Sequence, residues 1–430
     1  MSNISKENPM RRADGTHRVV ITGMGAVTPA GVGVEALWDA LLQKKCCIGP
    51  ITRFQIEDLE VKVAAEVRDF NGVDHGLTKK EARRYARFVQ YAMVASDEAM
   101  AQAGLNMEAE DATRVGVCFG SGIGGIDAMQ EGSVTLLERG AKRVAPLIIP
   151  TMISNMAAGN LAIRYGMRGE CLNVVTACAT GSHCIGQAVR SIRHGYVDAA
   201  LAGGAEESVN SLAIAGFCNL GALCKSADPE CASMPFDKDR SGFVSGEGAG
   251  AVVLESLEHA QARGAKIIAE VTGFGSTGDA YHMTAPNPEG EGIVRAMSQA
   301  LEEGGFTPAD LGHLNAHGTS TPANDKTEAA ALKALCGEEM GATVPVTSIK
   351  GAMGHMLGAA GAVEAIVTAL SVANSCVPPT CGFKESDPET AVNVATRVIM
   401  NLPQKVALSN SLGFGGHNAV LAISPYEEEA

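Results

Sequence analysis

The sequence predicts a large α/β protein made of two similar halves. Apolar residues make up 46% of the 430 residues, which is enough for an extensive core. Short apolar runs, typical of strands covered on both faces, alternate with helical patterns. A strand followed by glycines near the start of the chain recurs near its middle. A duplicated α/β unit would explain a length that exceeds one simple domain.

The recurring passage is interpreted as a strand that runs into a glycine-rich turn. Coincidence between two ordinary strand–turn segments explains the repeat equally well when it is taken alone. With duplication, we expect a flexible N-terminal segment at 1–16, a first half at 17–260 and a second half at 261–430. The two copies are 18–22 followed by Gly23-Met24-Gly25, and 266–271 followed by Gly273-Phe274-Gly275.

Further strands and helices follow from local patterns. The apolar runs 115–119 and 199–202 suit strands buried on both faces. Apolar residues at i, i+3, i+4 and i+7 mark one helix from Ile185 to Ile192 and another from Val363 to Leu370. Strands and helices therefore alternate in both halves.

Charge and composition argue against several classes of function. The formal net charge of −14 is unfavourable for binding nucleic acid. The first 17 residues are polar, unlike a secretory signal, and prolines interrupt the apolar run 144–153 well short of a membrane span. Twelve cysteines are scattered without a C-x-x-C pair, which argues against a disulfide framework or a zinc cage. We expect a soluble cytoplasmic protein with no membrane insertion and no bound metal.

Cys178 lies where a short β-branched stretch, 174–176, meets the first predicted helix. We expect a strand to end there and the helix to begin, a turn that exposes a nucleophile. The positive end of the helix dipole would favour the thiolate, and free backbone N–H groups would be available to an oxyanion. The alternative is a buried structural cysteine, which is how we interpret the other eleven.

Two histidines, His317 and His355, lie beside glycines where strands are expected to end. Glycine lets another group approach closely. A histidine taken alone is more often a structural residue than a catalytic one. A cysteine with two distant histidines forms a plausible nucleophilic constellation, provided that the fold brings the three together.

The segment 409–418 places glycines on both sides of one aromatic residue, Phe414. One interpretation is an ordinary turn between the last two strands. The other is a mobile pocket wall that supplies backbone N–H groups.

Together these motifs resemble those of the β-ketoacyl-acyl carrier protein synthases, condensing enzymes of the thiolase-like superfamily, and in particular the elongating type II synthases. The likeness runs from about residue 17 to the end of the chain, with the motifs in the family's order. The residues that carry it are Thr176-Ala177-Cys178, the signature within 235–248, 315–321, Lys350 with 354–355 and 358–361, and Gly413-Phe414-Gly415-Gly416.

The resemblance implies a thiolase-like fold, with two similar halves in a layered α/β/α/β/α core, usually as a homodimer. It implies a decarboxylative Claisen condensation in fatty acid elongation. Cys178 would carry the acyl chain, while His317 and His355 would hold the malonyl thioester carbonyl and promote loss of CO₂. Lys350 would orient and tune the histidines, and Glu364 is the matching structural acid. No metal or redox cofactor is implied.

The resemblance also implies binding roles. Thr319 and Thr321 would bind the phosphopantetheine arm, which arrives on the acyl carrier protein. The backbone N–H groups of Cys178 and Phe414 would form an oxyanion hole, and the Phe414 side chain would gate the acyl pocket. Two isoleucines, Ile123 and Ile148, would line that pocket.

One departure from the family pattern and two alternative functions remain open. Leu412 stands where most elongating synthases have phenylalanine, which bears on the Phe414 gate. A polyketide ketosynthase would use the same site with another chain. A non-catalytic acyl-binding partner subunit is disfavoured, because Cys178, His317 and His355 are all present.

A basic stretch at 79–87 stands out on this acidic protein. Its residues recur at near-helical spacing, which predicts that they share one face. The face is either simply solvated or a docking site for an acidic partner. The resemblance favours acyl carrier protein, with Arg83 and Arg84 as the best matches. The residues are Lys79, Lys80, Arg83, Arg84 and Arg87.

Overall fold

A computed structural model describes residues 10–427, and it is an α/β fold dominated by one large mixed sheet. Its strands are β1 (Val19–Thr28), β2 (Gly31–Val32), β3 (Gly49–Pro50), β4 (Val63–Ala64), β5 (Val115–Gly120), β6 (Cys171–Leu172), β7 (Ala199–Glu206), β8 (Gly248–Ser256), β9 (Ala269–Gly278), β10 (Leu311–Asn315), β11 (Pro345–Thr347), β12 (Cys376–Val377), β13 (Asn393–Val394), β14 (Ile399–Met400), β15 (Val406–Gly413) and β16 (His417–Pro425). Its α-helices are α1 (Val34–Leu42), α2 (Lys79–Arg84), α3 (Arg87–Ala103), α4 (Ile126–Arg139), α5 (Ile148–Met152), α6 (Met156–Tyr165), α7 (Thr180–Arg193), α8 (Ser211–Asn219), α9 (Leu257–Ala262), α10 (Glu291–Gly304), α11 (Pro322–Cys336), α12 (Glu338–Gly341), α13 (Lys350–Met353) and α14 (Ala360–Ala373).

The sheet is built from two half-sheets with the same topology. One half-sheet runs β1-β8-β7-β5-β6 and the other runs β9-β16-β15-β10-β11. In each, the first two pairings are antiparallel and the last two are parallel. The predicted α/β architecture with two similar halves is therefore confirmed.

The two half-sheets enclose a central helical layer. In the described range 10–427 they pair along β1 and β9 through Val20 with Glu270 and Ile21 with Ala269. Helix α14 contacts β8 of one half-sheet and both β15 and β16 of the other, and it also packs on α7. Because α14 is apolar almost all round, it is stable only in such a buried layer. Helices α3 and α10 cover the outer faces, which completes the α/β/α/β/α order.

The glycines of the repeated passage lie within strands, so the predicted turns at these positions are wrong. Gly25 belongs to β1 and Gly275 to β9. A Cβ at Gly25 would overlap the carbonyl oxygen of Ala95 on α3, and one at Gly275 would overlap that of Ala296 on α10. The glycines are needed because each outer helix lies directly on its strand. The repeat therefore records a shared packing contact rather than a shared turn.

The predicted N-terminal segment lies only partly within the described residues, since 1–9 and 428–430 are outside them. From residue 10 onward the chain contacts the fold, for example through Arg12, which donates to the carbonyl oxygen of Thr272 at 2.8 Å. In the described part of the chain, every helix is too short or too polar to cross a membrane.

A buried carboxylate at the end of β8 is predicted to make stability depend on pH. Glu255 contacts His259 Nδ1 at 2.6 Å, and Glu110 contacts His259 Nε2 at 2.9 Å. Hydrogen bonding to Glu255 raises the pKa of His259 to about 9. The stabilisation is therefore complete below the ordinary histidine pKa of about 6.5 and is lost as pH rises through about 9.

Replacing His259 by glutamine should lower the free energy of unfolding by about 1 kcal/mol at pH 6 and by much less at pH 9.5, after allowance for solvent screening. Urea unfolding of both proteins at pH 6, 7.5 and 9.5 measures this difference. His282→Gln, at an exposed histidine, is the control. An equal loss at all three pH values would contradict an ionic role for His259.

Candidate active site

Cys178 lies on a strained turn at the start of α7. A 3₁₀ turn, Ala177–Ala179, leads directly into the helix, and Ala177 has a φ of 51°. The predicted strand at 174–176 is wrong, because β6 already ends at Leu172. The backbone N–H of Thr176 donates instead to Thr180 Oγ1 at 2.9 Å. This N–H is therefore bonded to the first turn of α7 and not to a neighbouring strand.

The second half contains the same turn. Another 3₁₀ turn, Leu357–Ala359, leads into α14, and Leu357 has a φ of 43°. His355 precedes this turn and follows α13, so the predicted strand end before it is wrong. Its backbone N–H donates to Val244 at 2.7 Å, and its carbonyl accepts from Gly246 at 2.9 Å, which anchors it to the segment before β8. For His317 the expectation holds, since it lies two residues after β10.

The fold brings Cys178, His317 and His355 together. One sulfur or nitrogen atom from each residue lies within 4.8 Å of the other two, and all three side chains are buried. The two imidazole rings meet edge to face, with centroids 5.2 Å apart. The thiol of Cys178 thus faces the imidazole rings of two histidines that lie far from it in the sequence.

Lys350 and Glu364 support His317 from behind. Lys350 Nζ donates to the His317 carbonyl at 2.6 Å, lies 3.3 Å from His317 Nδ1, and contacts the Glu364 carboxylate. Burial, together with the charge of Lys350, holds the pKa of both His317 and His355 well below the ordinary value. Both rings are therefore neutral at pH 7. Because Lys350 donates to Nδ1 of His317, the proton of that ring belongs on Nε2.

The Cys178 thiol is protonated in the unreacted site. Burial raises its pKa to about 12, against the opposing influence of Lys350 and of the backbone N–H groups of Phe414 and Cys178. The helix N-terminus was expected to favour the thiolate, but desolvation outweighs its influence on the pKa of Cys178. The backbone N–H groups of Phe414 and Cys178 lie close enough to the sulfur to lower this pKa.

A cavity of about 610 Å³ opens onto these groups. Thr319 and Thr321 lie on its wall with their hydroxyl oxygens 2.8 Å apart. Ile123 and Phe414 line it as well, as does Leu412. Phe414 occupies the turn between β15 and β16, so the segment 409–418 is both a turn between the last strands and a pocket wall.

Ile148 lies apart from this cavity. It begins α5, packs on Gly132 of α4, and lines a second cavity of about 710 Å³ together with Arg83 and Arg84. Within this chain, Ile148 and Ile123 therefore do not share a pocket.

The basic stretch at 79–87 does not form one helical face, contrary to prediction. Helix α2 begins at a capping box between Thr78 and Glu81 and ends at Arg84, because Tyr85 is extended with a ψ of 136°. Arg87 instead begins α3. The tertiary fold nevertheless places Arg83, Arg84 and Arg87 around the same cavity. Arg83 and Arg84 are exposed, and Glu81 of the same helix pairs with Arg164 instead, so the two charges are available to a partner.

Comparison with known proteins identifies the family. The model of the β-ketoacyl synthase N-terminal domain matches residues 16–260, and that of the C-terminal domain matches residues 268–384. The chain belongs to the β-ketoacyl synthase family. The resemblance inferred from the sequence motifs is thereby confirmed.

Relatives within the β-ketoacyl synthases match almost the whole chain. The 3-oxoacyl-[acyl-carrier-protein] synthase 2 of Staphylococcus aureus (strain COL) is 47% identical over 95% of this chain and 99% of its own. The protein of the same name from Synechocystis is 44% identical over 95% and 98%.

Solved structures agree with this fold. A β-ketoacyl synthase from Burkholderia phymatum is 34% identical, with a TM-score of 0.89 over 96% of this chain and 100% of its own. A chain from the complex of a type II polyketide acyl-carrier protein with its ketosynthase bound to the hexaketide is 30% identical, with a TM-score of 0.88 over 96% and 100%. The predicted thiolase-like fold is confirmed.

Two buried carboxylates of this β-ketoacyl synthase were not identified from its sequence. Glu206 accepts backbone N–H groups from Gly122, Ile123 and Gly358, at 2.8, 3.1 and 2.9 Å. Glu328 accepts those of His317 and Gly318 at 2.8 and 2.9 Å. Each carboxylate fixes loops that line the cavity. The sequence did contain a signal for Glu206, because this acidic residue ends a strand whose other residues are small and apolar.

Proposed function

We propose that this protein is an elongating β-ketoacyl-acyl carrier protein synthase of fatty acid synthesis, acting in the cytoplasm as a homodimer. It condenses an acyl chain with malonyl-acyl carrier protein and yields β-ketoacyl-acyl carrier protein, CO₂ and free carrier protein. One observation carries the proposal. The buried side chain of Cys178 lies within 4.8 Å of two buried imidazoles, those of His317 and His355. The two family-model matches support halves at 17–260 and 261–430.

The first proposed step loads the acyl chain on Cys178. The sulfur attacks the thioester carbonyl of the incoming acyl chain as its proton passes to an imidazole nitrogen within 4.8 Å. The N–H groups of Cys178 and Phe414 stabilise the tetrahedral oxyanion. The carrier thiol leaves with a proton, and the acyl chain remains as a thioester on Cys178.

The second and third steps form the carbon–carbon bond. His317 and His355 donate N–H groups to the thioester oxygen of malonyl-carrier protein, so that loss of CO₂ leaves a stabilised enolate. The enolate carbon attacks the acyl carbonyl and the carbon–sulfur bond breaks, so that the Cys178 sulfur leaves as a thiolate and takes up a proton from water. Lys350 acts by positioning His317, and its charge is balanced by Glu364. This chemistry needs no metal or redox cofactor.

We assign the substrate-binding roles to residues that line the first cavity. In this proposal the Thr319 and Thr321 hydroxyl groups hydrogen-bond the phosphopantetheine arm, and Ile123 contacts the acyl chain, which is supported by their position on the cavity wall. We assign no acyl contact to Ile148 within its own chain, because it lies at the second cavity.

A polyketide ketosynthase remains the second candidate function, because the ketosynthase–hexaketide complex has the same fold at a TM-score of 0.88. One assay separates the two functions. Condensation with malonyl-carrier protein is measured with saturated acyl-carrier proteins of increasing length and with β-ketoacyl-carrier proteins. Turnover of saturated chains supports the fatty acid synthase, and turnover of only β-ketoacyl chains supports the polyketide enzyme. No condensation with either set would contradict both.

Reversing two charges should weaken carrier docking. Arg83→Glu with Arg84→Glu should raise KM for carrier-bound substrates by about 10-fold at low salt, because two positive charges that attract the acidic carrier protein become two negative charges that repel it. The effect should shrink as salt is added. Initial rates over a range of carrier concentrations measure it.

The control for this experiment is Lys266→Glu with Arg397→Glu, an equal charge change at two exposed residues outside the second cavity. A pantetheine thioester without carrier protein should react equally with all three proteins. An unchanged KM for carrier-bound substrate at low salt would contradict docking at Arg83 and Arg84.

Removing the Phe414 ring should disturb acyl loading. The ring lies in a turn with flanking glycines, and both Gly415 and Gly416 have positive φ. Phe414→Ala should slow acyl transfer to Cys178 by about 10-fold, or change the preferred chain length, because the ring no longer shapes the pocket entrance. Single-turnover acylation with short and long chains measures this. Phe414→Leu keeps most of the bulk and is the control; identical rates for Phe414→Ala and the unsubstituted protein at every length would contradict a gate.

A further inference from the structure

The three side chains at the base of the cavity form a donor set that suits a soft divalent cation. Cys178 supplies a thiol sulfur, and His317 and His355 supply imidazole nitrogens, within 4.8 Å of one another. Thiolate and imidazole are the ligands preferred by Zn²⁺. Their relative exposures of 7%, 2% and 2% mean that bulk water hardly competes for these atoms.

Tetrahedral coordination lies within reach of this geometry. With Zn–S of about 2.3 Å and Zn–N of about 2.0–2.1 Å, donor atoms around one Zn²⁺ are about 3.3–3.6 Å apart. The sulfur and the two nitrogen atoms now lie within 4.8 Å of one another. To reach the separations around Zn²⁺, these atoms need to move by about 1 Å. Three protein ligands leave a fourth position, and the open cavity provides room there for a water molecule.

The contacts around His355 leave its imidazole able to turn toward a metal ion. His355 Nδ1 is buried without a hydrogen-bond partner among residues 10–427, so no such bond at Nδ1 opposes rotation of its ring. The ring is positioned instead by an edge contact with Phe243, at 5.3 Å between centroids.

Lys350 is the group that opposes the cation. Coordination through His317 Nε2 requires the imidazole proton to move to Nδ1, which Lys350 now contacts at 3.3 Å. Lys350 can then bond only to the His317 carbonyl and to Glu364, both of which it already contacts. The opposite charge of Glu364 reduces the repulsion between Lys350 and a bound cation.

We propose that Cys178, His317 and His355 bind one Zn²⁺ ion, which caps the nucleophile and switches the site off. As the Zn–S bond forms, the thiol proton leaves to water. An acyl group on Cys178 would remove the sulfur ligand, so the ion and the acyl chain should exclude each other. The binding of Zn²⁺ does not rest on the proposed condensation.

Equilibrium dialysis of the full chain against ZnCl₂, with bound zinc counted, tests the proposal. The unsubstituted protein should hold one more Zn²⁺ per chain than Cys178→Ser. His355→Ala should bind that ion at least 10-fold more weakly. The control is Cys171→Ser, which removes an exposed thiol on β6 and should bind as the unsubstituted protein does. Equal zinc content in the Cys178→Ser and unsubstituted proteins would overturn the proposal.

Cobalt provides a readout that is independent of activity. Co²⁺ added to the unsubstituted protein should produce a near-ultraviolet sulfur-to-cobalt charge-transfer band, absent from Cys178→Ser and from protein alkylated at Cys178 with iodoacetamide. The same band in all of these samples would place the metal elsewhere and overturn the proposal. If zinc binds as expected but no condensation is measured, only the proposed function fails. If condensation is measured without a Cys178-dependent ion, only the present inference fails.

Discussion

Replacing Cys178 by alanine should abolish condensation while malonyl-carrier protein still loses CO₂. Condensation needs a sulfur to carry the acyl chain, so its rate should fall by about 10⁴-fold or more. Decarboxylation needs only a bound malonyl thioester and donors to the enolate oxygen, which we assign to His317 and His355. Alanine is small and compatible with helix, so the start of α7 should persist.

The two half-reactions are measured side by side, as CO₂ released and β-ketoacyl product formed. Cys184→Ala is the matched control, because Cys184 is a buried cysteine on the same helix that does not line the cavity. This control should retain both reactions. If Cys178→Ala still condensed, or lost CO₂ release together with condensation, our division of roles between the thiol and the histidines would be wrong.

Removing either histidine should have the second largest effect. His317→Ala or His355→Ala should slow decarboxylation by about 10²-fold, since removal of one oxyanion donor raises the barrier by about 3 kcal/mol. The pKa of each ring is held well below its ordinary value, by burial first and then by Lys350. Both rings therefore stay neutral as pH falls through about 6.5, and the histidine-dependent rate should not decline there.

CO₂ release from pH 6 to 8 tests both statements. His313→Gln is the control, because His313 is equally buried but is bonded to Thr347 and Ser371, away from the cavity. If both alanine variants released CO₂ at the unsubstituted rate, the histidines would not be the enolate donors. A fall in the unsubstituted rate centred near pH 6.5 would contradict the lowered pKa values.

Local patterns in the sequence were sufficient for the architecture and the family. Apolar spacing identified the helices that became α7 and α14, and the recurring strand–glycine passage was consistent with the two halves that the family resemblance implied. These features depend on neighbours within a few residues. The same locality explains the errors. Glycines in β1 and β9 were interpreted as turns, because their contacts are helices tens of residues away.

Only the tertiary structure decided how the site works. Cys178 meets His317 and His355 because α7 and α14 pack together between two half-sheets, a relation that no local pattern contains. The roles of Glu206 and Glu328 depend on loops that converge from different parts of the chain.

The sequence by itself determined an α/β protein of two halves, its family and the residue types of the site. The tertiary structure decided the protonation of that site: a thiol with a pKa raised to about 12 and two imidazoles kept neutral. The physical reason is that desolvation depends on everything packed around a group. Its effect on Cys178 exceeds that of the helix N-terminus, which is a local feature that the sequence reveals.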